Sequence, residues 1–361
     1  MAASTLKQQA LQDEQSGANA EAAETWHKIT VQNPRDAEAW SHLGLMLALQ
    51  GKYAGAVPAY RHALRLNPKL PGVQLDLGLA LFKQQKPKDA IPAFQAAEKE
   101  NPSDAKPKLL LGMSYYAAAQ YAQAIPYMKF AVSTAPGNLE LRTTLAQSCL
   151  WAAQYPCVLE QYKEILQIDP NSAQADMLAG EASDGLGNTA QAIENFREAE
   201  KVSPHTPEVH FGLGYLLWKQ HHYDEAKAEL EQEIQDNPNQ AQALTYLGDI
   251  AIKNGDTANA QTYLSRALAQ PGAAIRLAYM DSGILNASQG RNQEAQSDFE
   301  HAIHIDPKEP DAHWRLARLY QAMGKKADAA VELAKVSQLH QATDRGLVQR
   351  MSGPPPPQAS Q

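Results

Sequence analysis

Two cysteines, Cys149 and Cys157, lie close together in the sequence and are the residues best placed for a covalent cross-link. They fall near the end of one predicted helix and near the start of the next. An antiparallel helix hairpin brings such positions within the roughly 7 Å between Cα atoms that a disulfide can span. We therefore expect either a small-loop disulfide formed in an oxidising compartment or two buried free thiols.

The chain has 11 histidines, which are potential metal ligands, and two pairs have suggestive spacing. His221 and His222 are adjacent in a predicted turn, and His301 and His304 are three apart on a predicted helix. A zinc site also needs cysteine or carboxylate partners that converge on the ion. Only single acidic residues lie nearby in the sequence, so we interpret these histidines as solvated side chains. We predict no metal site and no cofactor.

Three aromatic residues, Phe211, Tyr215 and Trp218, are spaced four and three apart and so share one face of a predicted helix. Tyr and Trp combine a large contact area with a polar group, which is why they are enriched where proteins bind partners. We interpret this stripe as an exposed binding surface. Packing between neighbouring helices is the alternative that the sequence leaves open.

Catalytic motifs are missing from the sequence. It contains no G-x-S-x-G nucleophile turn, no phosphate-binding P-loop and no H-E-x-x-H metal motif. We therefore predict that the protein is not an enzyme.

Composition excludes further classes of function. The 361 residues carry a net charge of −8, and an acidic surface disfavours contact with nucleic-acid phosphates. The 44% of apolar residues suits a folded soluble protein, yet no apolar run approaches the roughly 18–20 residues that span a bilayer. We predict neither nucleic-acid binding nor membrane insertion.

A repeat of 34 residues runs along the chain and contains the cysteines, histidines and aromatic residues named above. Closing prolines recur at this period from Pro34 to Pro238. A glycine recurs within seven of the ten periods, five times after leucine as at Leu43-Gly44 and Leu213-Gly214, and the same position holds Ala10, Ala146 or Ala317 in the other three. An alanine (in one repeat a valine) lies twelve residues after the glycine position, and a large apolar residue follows it by four. The spacing predicts two antiparallel helices per period, because the small residues let the backbones approach and proline ends the second helix. The predicted fold class is all-α.

These residues resemble the tetratricopeptide repeat family. Ten tandem repeats follow, and residues 344–361 form a short extension with a disordered Pro-rich tail. The repeats span residues 3–36, 37–70, 71–104, 105–138, 139–172, 173–206, 207–240, 241–275, 276–309 and 310–343. The resemblance implies one right-handed α-solenoid superhelix over residues 1–343. The first repeat is unusually polar, the eighth has one residue inserted near Pro271-Gly272, and the tenth lacks a closing proline.

The resemblance also implies that the first helices of the repeats line a concave groove that binds extended peptides or partner proteins. Groove positions lie one residue after the glycine position, three before it or four after it. The partner-binding candidates among and beside these positions are Leu45, Leu79, Phe82, Met113, Tyr116, Gln147, Trp151, Phe211, Tyr215, Trp218, Trp314 and Arg318. Acidic residues occupy the middle of the predicted groove, namely Glu181, Asp184, Asp249 and Asp281.

The predicted partner is a protein or peptide with an apolar or mildly basic segment, which makes this chain a scaffold or adaptor. Some family members bind a C-terminal carboxylate with Lys, Arg and Asn at groove positions. The corresponding positions here hold residues such as Ser41, Leu75 and Leu109. Two alternatives stay open, a self-associating structural oligomer and a binder of carbohydrate or another small molecule. The oligomeric state is left undetermined.

The first residues lack the charged segment and apolar core of a secretory signal. A cytoplasmic location is therefore expected for the chain as it stands. A periplasmic or exported location is expected if a signal was removed and Cys149 and Cys157 are oxidised.

Overall fold

The computed structural model describes residues 2–272 and 275–351, and the side chains of residues 5–272 and 275–342. In these ranges all regular structure is α-helical. Contacts divide the chain into an N-terminal unit, Met1–Asn188, and a C-terminal unit, Thr189–Gln361. One continuous array of ten repeats stays a prediction. The predicted Pro-rich tail, residues 352–361, lies outside the described residues.

Eleven of the described helices belong to the N-terminal unit and nine to the C-terminal unit. The first eleven are α1 (Ala2–Gln15), α2 (Asn19–Gln32), α3 (Ala37–Leu49), α4 (Tyr53–Leu66), α5 (Val73–Lys83), α6 (Pro87–Glu100), α7 (Ala105–Ala117), α8 (Tyr121–Thr134), α9 (Leu139–Trp151), α10 (Tyr155–Ile168) and α11 (Ala173–Gly185). The remaining nine are α12 (Thr189–Val202), α13 (Val209–Lys219), α14 (Tyr223–Asp236), α15 (Ala241–Lys253), α16 (Thr257–Leu268), α17 (Arg276–Ser288), α18 (Asn292–Ile305), α19 (Pro310–Ala322) and α20 (Lys326–Met351).

Helix pairs are held together by a large side chain that lies directly against a glycine. A Cβ atom built on Gly78 would stand 2.5 Å from the ring of Phe94, which is fully buried. A Cβ atom on Gly283 would stand 2.5 Å from the ring of Phe299 in the same way. No other residue fits at these crossings without moving the ring, so the recurring glycine is a packing requirement.

Turns between the two helices of a pair use a left-handed backbone conformation. Gly51 and Gly187 adopt it with φ of 73° and 80°. Ala119 and His221 adopt it with φ of 56° and 63°, although side chains disfavour this region. The turn is therefore imposed by the packing of the two helices and does not depend on glycine alone.

Successive repeats are joined by polar side chains that reach back to a proline carbonyl. Arg142 Nε donates to the carbonyl of Pro136 at 2.8 Å, and Lys108 Nζ donates to that of Pro102 at 2.9 Å. Each pair is six residues apart and links the first turn of a helix to the end of the repeat before it. The proline that ends one repeat thus also orients the next.

None of the helices searched among the described residues is long and apolar enough to cross a membrane.

Candidate functional site

The C-terminal unit carries a cluster of four aromatic side chains on the first helices of two neighbouring repeats. Phe211, Tyr215 and Trp218 lie along one face of α13, and their rings are 6.4 and 6.3 Å apart in turn. Tyr246 of α15 packs on the same row, 5.5 Å from Tyr215 and 4.7 Å from Trp218 between ring centroids. We call these four residues the C-terminal aromatic cluster. All four are half-buried, so each ring keeps part of its surface exposed.

A carboxylate fixes the orientation of this cluster. Trp218 Nε1 donates a hydrogen bond of 2.6 Å to Asp249, which is buried on α15. Lys253, one turn further along α15, pairs with the same carboxylate. Its ammonium also lies 5.8 Å from the centroid of the Trp218 ring and 5.7 Å from that of Tyr223. The indole is therefore held in one orientation by Asp249 and Lys253.

The start of α13 is anchored from the other side by a buried carboxylate on α14. Glu233 accepts the backbone N–H of Phe211 at 3.1 Å. Burial raises the pKa of Glu233, and the hydrogen bond from Phe211 opposes that rise. This bond satisfies one of the N–H groups that a helix leaves free in its first turn.

Asp281 on α17 is a buried acid near the cluster. Its Oδ2 atom has no hydrogen-bond partner among the described residues. Burial raises its pKa to about 8, and the nearby charge of Asp249 adds to the rise, while Lys253, Arg315 and Arg276 oppose it. Asp281 is thus neutral over much of the range in which other aspartates are charged.

The N-terminal unit carries a second polar and aromatic cluster, formed by Tyr116, Tyr121, Gln147 and Trp151. Tyr116 Oη donates to Gln147 Oε1 at 2.7 Å, and its ring lies 5.8 Å from Trp151. Tyr121, at the start of α8, lies 4.6 Å from Trp151. The Trp151 side chain is 52% exposed, which is unusual for tryptophan. We call this group the N-terminal aromatic cluster.

The other predicted groove residues are not among the ring contacts of either cluster. Leu45, Leu79 and Phe82 are half-buried and pack against hydrophobic cores of the N-terminal unit. Met113 is exposed on α7.

The last predicted pair lies on α19. Trp314 is 44% exposed, and the guanidinium of Arg318 lies 5.8 Å from the centre of its ring. The predicted groove residues that contact one another therefore fall into three groups. One lies on α7–α9, one on α13–α15 and one on α19.

Tyr121 and Tyr246 were missed by the sequence analysis. Tyr246 lies two residues before Gly248, outside the positions assigned to the groove. The sequence contains a pattern that could have indicated Tyr121. Like Tyr121, the residues Tyr53, Tyr155 and Tyr223 begin the second helix of a pair.

The two cysteines are joined in the structure. Cys149 on α9 and Cys157 on α10 form a disulfide with their Cα atoms 5.9 Å apart, and both side chains are buried. The helix hairpin thus brings the two Cα atoms within the distance that a disulfide can span. Oxidation of this pair in solution stays a prediction.

Comparison with protein families finds repeat models along most of the chain. A model of the middle TPR-like domain of cilia and flagella-associated protein 70 matches residues 6–131. Tetratricopeptide repeat models match residues 115–182, 211–274 and 287–348, and a TPR repeat model matches residues 186–221. No curated protein matches the chain significantly.

Solved structures resemble the chain in fold. The Cut9–Hcn1 hetero-tetramer of the APC/C matches 93% of this chain and 73% of that chain, with 13% identity and a TM-score of 0.53. Yeast Tom70 matches 93% of this chain and 92% of that chain, with 15% identity and a TM-score of 0.42. YrrB, described as a TPR protein with an unusual peptide-binding site, matches 50% of this chain and 94% of that chain, with 22% identity and a TM-score of 0.42.

Proposed function

Because this chain belongs to the tetratricopeptide repeat family, we propose that it is a non-catalytic scaffold that binds an extended segment of a partner protein. Tetratricopeptide repeats support protein interaction in general. The partner's main contact in this proposal is with the C-terminal aromatic cluster. The observation that carries it is the row of Phe211, Tyr215, Trp218 and Tyr246, four rings that are ordered by the fold and only partly covered by it.

Pre-ordered aromatic rings favour binding for a physical reason. A partner that covers them gains apolar contact area, while little side-chain entropy remains to be lost. The hydrogen bond from Trp218 to Asp249 and the cation of Lys253 hold the indole in one orientation. The hydrogen-bonded edge of Trp218 is already satisfied, so an apolar side chain of the partner can cover the remaining face without leaving a polar group unpaired.

The proposed partner segment is apolar or mildly basic. Leu75, Leu79, Leu109 and Met113 occupy positions where some family members bind a terminal carboxylate with basic side chains. The net charge of −8 favours encounter with a basic segment over an acidic one. We propose the N-terminal aromatic cluster as a second contact for a longer segment.

Selection from a displayed library of random 12-residue peptides tests this proposal. We expect enriched peptides that contain apolar or aromatic residues beside Lys or Arg. A Tyr215→Ala/Trp218→Ala double variant of unchanged helicity should lose binding at least tenfold. Val31→Ala, which removes an exposed apolar side chain from α2 outside the predicted groove, is the control and should bind as the wild type does. Selection of acidic peptides, or equal binding by the double variant, would overturn the proposal.

Self-association is a second candidate, favoured by one observation on the last described helix. Val331 on α20 is 66% exposed, and Leu333 is also exposed. Light scattering over a range of concentrations distinguishes the two, because a monomeric scaffold keeps a mass near 39.4 kDa. A mass that doubles with concentration and returns to that of a monomer in Val331→Lys would favour self-association.

A further inference from the structure

Glu200, His210 and Glu229 bring three metal-ligating side chains together in the C-terminal unit. One ligand atom from each lies within 4.8 Å of the other two. They come from three successive helices, α12, α13 and α14, and therefore from two repeats. His210 is nearly fully buried, and the two glutamates are partly buried. We propose that these three residues form a binding site for a divalent transition-metal ion, with Zn²⁺ as the expected occupant.

Part of this cluster is a structural contact that recurs in the chain. His210 Nδ1 is 2.8 Å from Glu229 Oε2, and His313 Nδ1 is 2.6 Å from Glu332 Oε2. Both pairs are 19 residues apart and join the first helix of a hairpin to the second. Arg142 and Gln161 make the same link at 3.2 Å in the N-terminal unit. A histidine–glutamate pair therefore needs no metal to explain it.

Glu200 is the feature that this structural role does not explain. The residue at the equivalent position is aliphatic in six other repeats, namely Leu64, Val132, Leu166, Ile234, Leu268 and Ile303. One repeat has a glutamate there, Glu98, but it accepts a hydrogen bond from Tyr127, which occupies the position of Glu229. At Glu200 itself a partly buried carboxylate replaces an apolar side chain and faces a second carboxylate, Glu229. Burial raises the pKa of Glu200, and the charge of Glu229 raises it further, while His210 and Arg197 oppose the rise. A bound cation would offset both the cost of burying the Glu200 carboxylate and its repulsion from Glu229.

The donor set suits zinc. Imidazole nitrogen and carboxylate oxygen both bind Zn²⁺ at about 2.0–2.2 Å, so ligands around a tetrahedral ion stand about 3.3–3.5 Å apart. The three ligand atoms are already within 4.8 Å, and small side-chain rotations reach that spacing. Hard ions such as Ca²⁺ prefer six to eight oxygen ligands, which this cluster does not offer. The remaining position around the zinc would be filled by water.

The surrounding charge also favours a cation. Helix α14, which carries Glu229, has six acidic residues and one lysine. The nearby positive group is Arg197, which pairs with Glu225 at 3.1 Å on the exposed surface. A divalent ion would meet a strongly negative local potential here, and its binding would join α12 to the α13–α14 hairpin. His210 directly precedes Phe211, so the ion would also stabilise the start of the helix that carries the aromatic cluster.

Calorimetric titration of the metal-free full chain with ZnCl₂ tests the proposal. We expect wild type to bind one ion per chain, and Glu200→Gln to weaken this binding by about tenfold or more, since loss even of residues that only support a ligand costs about 10–100-fold. Glu332→Gln alters the similar pair that has Ile303 in place of a third ligand, and should leave zinc binding unchanged. Absence of saturable binding in wild type, or equal binding by Glu200→Gln, would overturn the proposal.

Melting temperatures measured with and without zinc test the proposal independently of the Glu200→Gln variant. Zinc should raise the melting temperature of wild type and of Glu332→Gln, and should not raise that of Glu200→Ile. Without metal, Glu200→Ile should be at least as stable as wild type, because it introduces the aliphatic side chain found at this position in six other repeats. An equal zinc-induced rise in Glu200→Ile would show that the ion binds elsewhere and would contradict the assignment.

A gain of binding gives the converse test. Ile303→Glu places a second carboxylate, and thus a third ligand, beside His313 and Glu332, in the arrangement of the proposed site. We expect the variant to bind two zinc ions per chain. A stoichiometry that stays at one would contradict the geometric argument.

Discussion

Trp218 Nε1 donates its hydrogen to the carboxylate of Asp249, 31 residues further along the chain, at 2.6 Å. Tyr116 makes the same connection to Gln147 in the N-terminal unit, also across 31 residues and at 2.7 Å. In both cases the residue four after the glycine position of one repeat reaches the residue one after that position in the next. Aromatic side chains on successive first helices are therefore ordered by hydrogen bonds between repeats.

Removal of the Asp249 carboxylate should loosen the C-terminal aromatic cluster. In Asp249→Ala the indole N–H of Trp218 and the ammonium of Lys253 lose their shared acceptor. We expect the free energy of unfolding to fall by about 1–3 kcal/mol, as is usual when a partly buried polar group is left unpaired. Chemical denaturation measures this. Asp311→Ala, which breaks the exposed pair with Arg315, should cost less than about 1 kcal/mol, and equal losses in the two variants would contradict the account.

Addition of one methyl group at a helix crossing should be costly. In Gly78→Ala the new Cβ atom would lie 2.5 Å from the ring of Phe94, and we expect a loss of about 1–3 kcal/mol in the free energy of unfolding. Gly137→Ala is the matched control, because nothing lies within 4 Å of its Cβ position. Denaturant titration of both variants provides the measurement. A Gly78→Ala variant as stable as the control would show that the crossing is looser than the structure has it.

The recurring glycine and its large neighbour were predictable because both follow from one local period. The positions of Tyr246 and of the Glu200–His210–Glu229 cluster were not. Tyr246 joins the aromatic row through packing between repeats, which a pattern within one repeat does not encode. The three residues proposed to bind zinc are separated by 10 and 19 positions and come from three helices, whereas His301 and His304 have a familiar metal-ligand spacing on one helix. Contacts between repeats therefore decide where the chemistry lies.

Asp281 should make stability depend on pH in a defined window. Its pKa is raised from 3.8 to about 8, so the folded state keeps a proton that the unfolded state has released. The contribution to stability is fully present below about pH 4 and is lost as the pH rises through about 8. Asp281→Asn keeps a neutral side chain, so we expect its stability relative to wild type to increase from pH 6 to pH 9. Unfolding measured across this range tests it, and a difference that stays constant would contradict the assignment.

Oxidation of Cys149 and Cys157 should close a short loop and stabilise the α9–α10 hairpin. The sequence separation is 8, for which the loss of entropy in the unfolded chain predicts about 2–3 kcal/mol. Protein isolated without reductant from an oxidising compartment should show no free thiols in denaturant, and two after reduction. Two free thiols before reduction would refute the bond.

The binding proposal is tested most directly at the indole of Trp218. The chain has five tryptophans, and each gives one indole N–H signal in a proton–nitrogen NMR spectrum. During titration with a selected peptide, the Trp218 signal, assigned by its loss in Trp218→Phe, should shift. The signal of Trp26, which is fully buried in the N-terminal unit, should stay in place. Saturable peptide binding with an unchanged Trp218 signal would contradict the assignment of the C-terminal aromatic cluster as the binding surface.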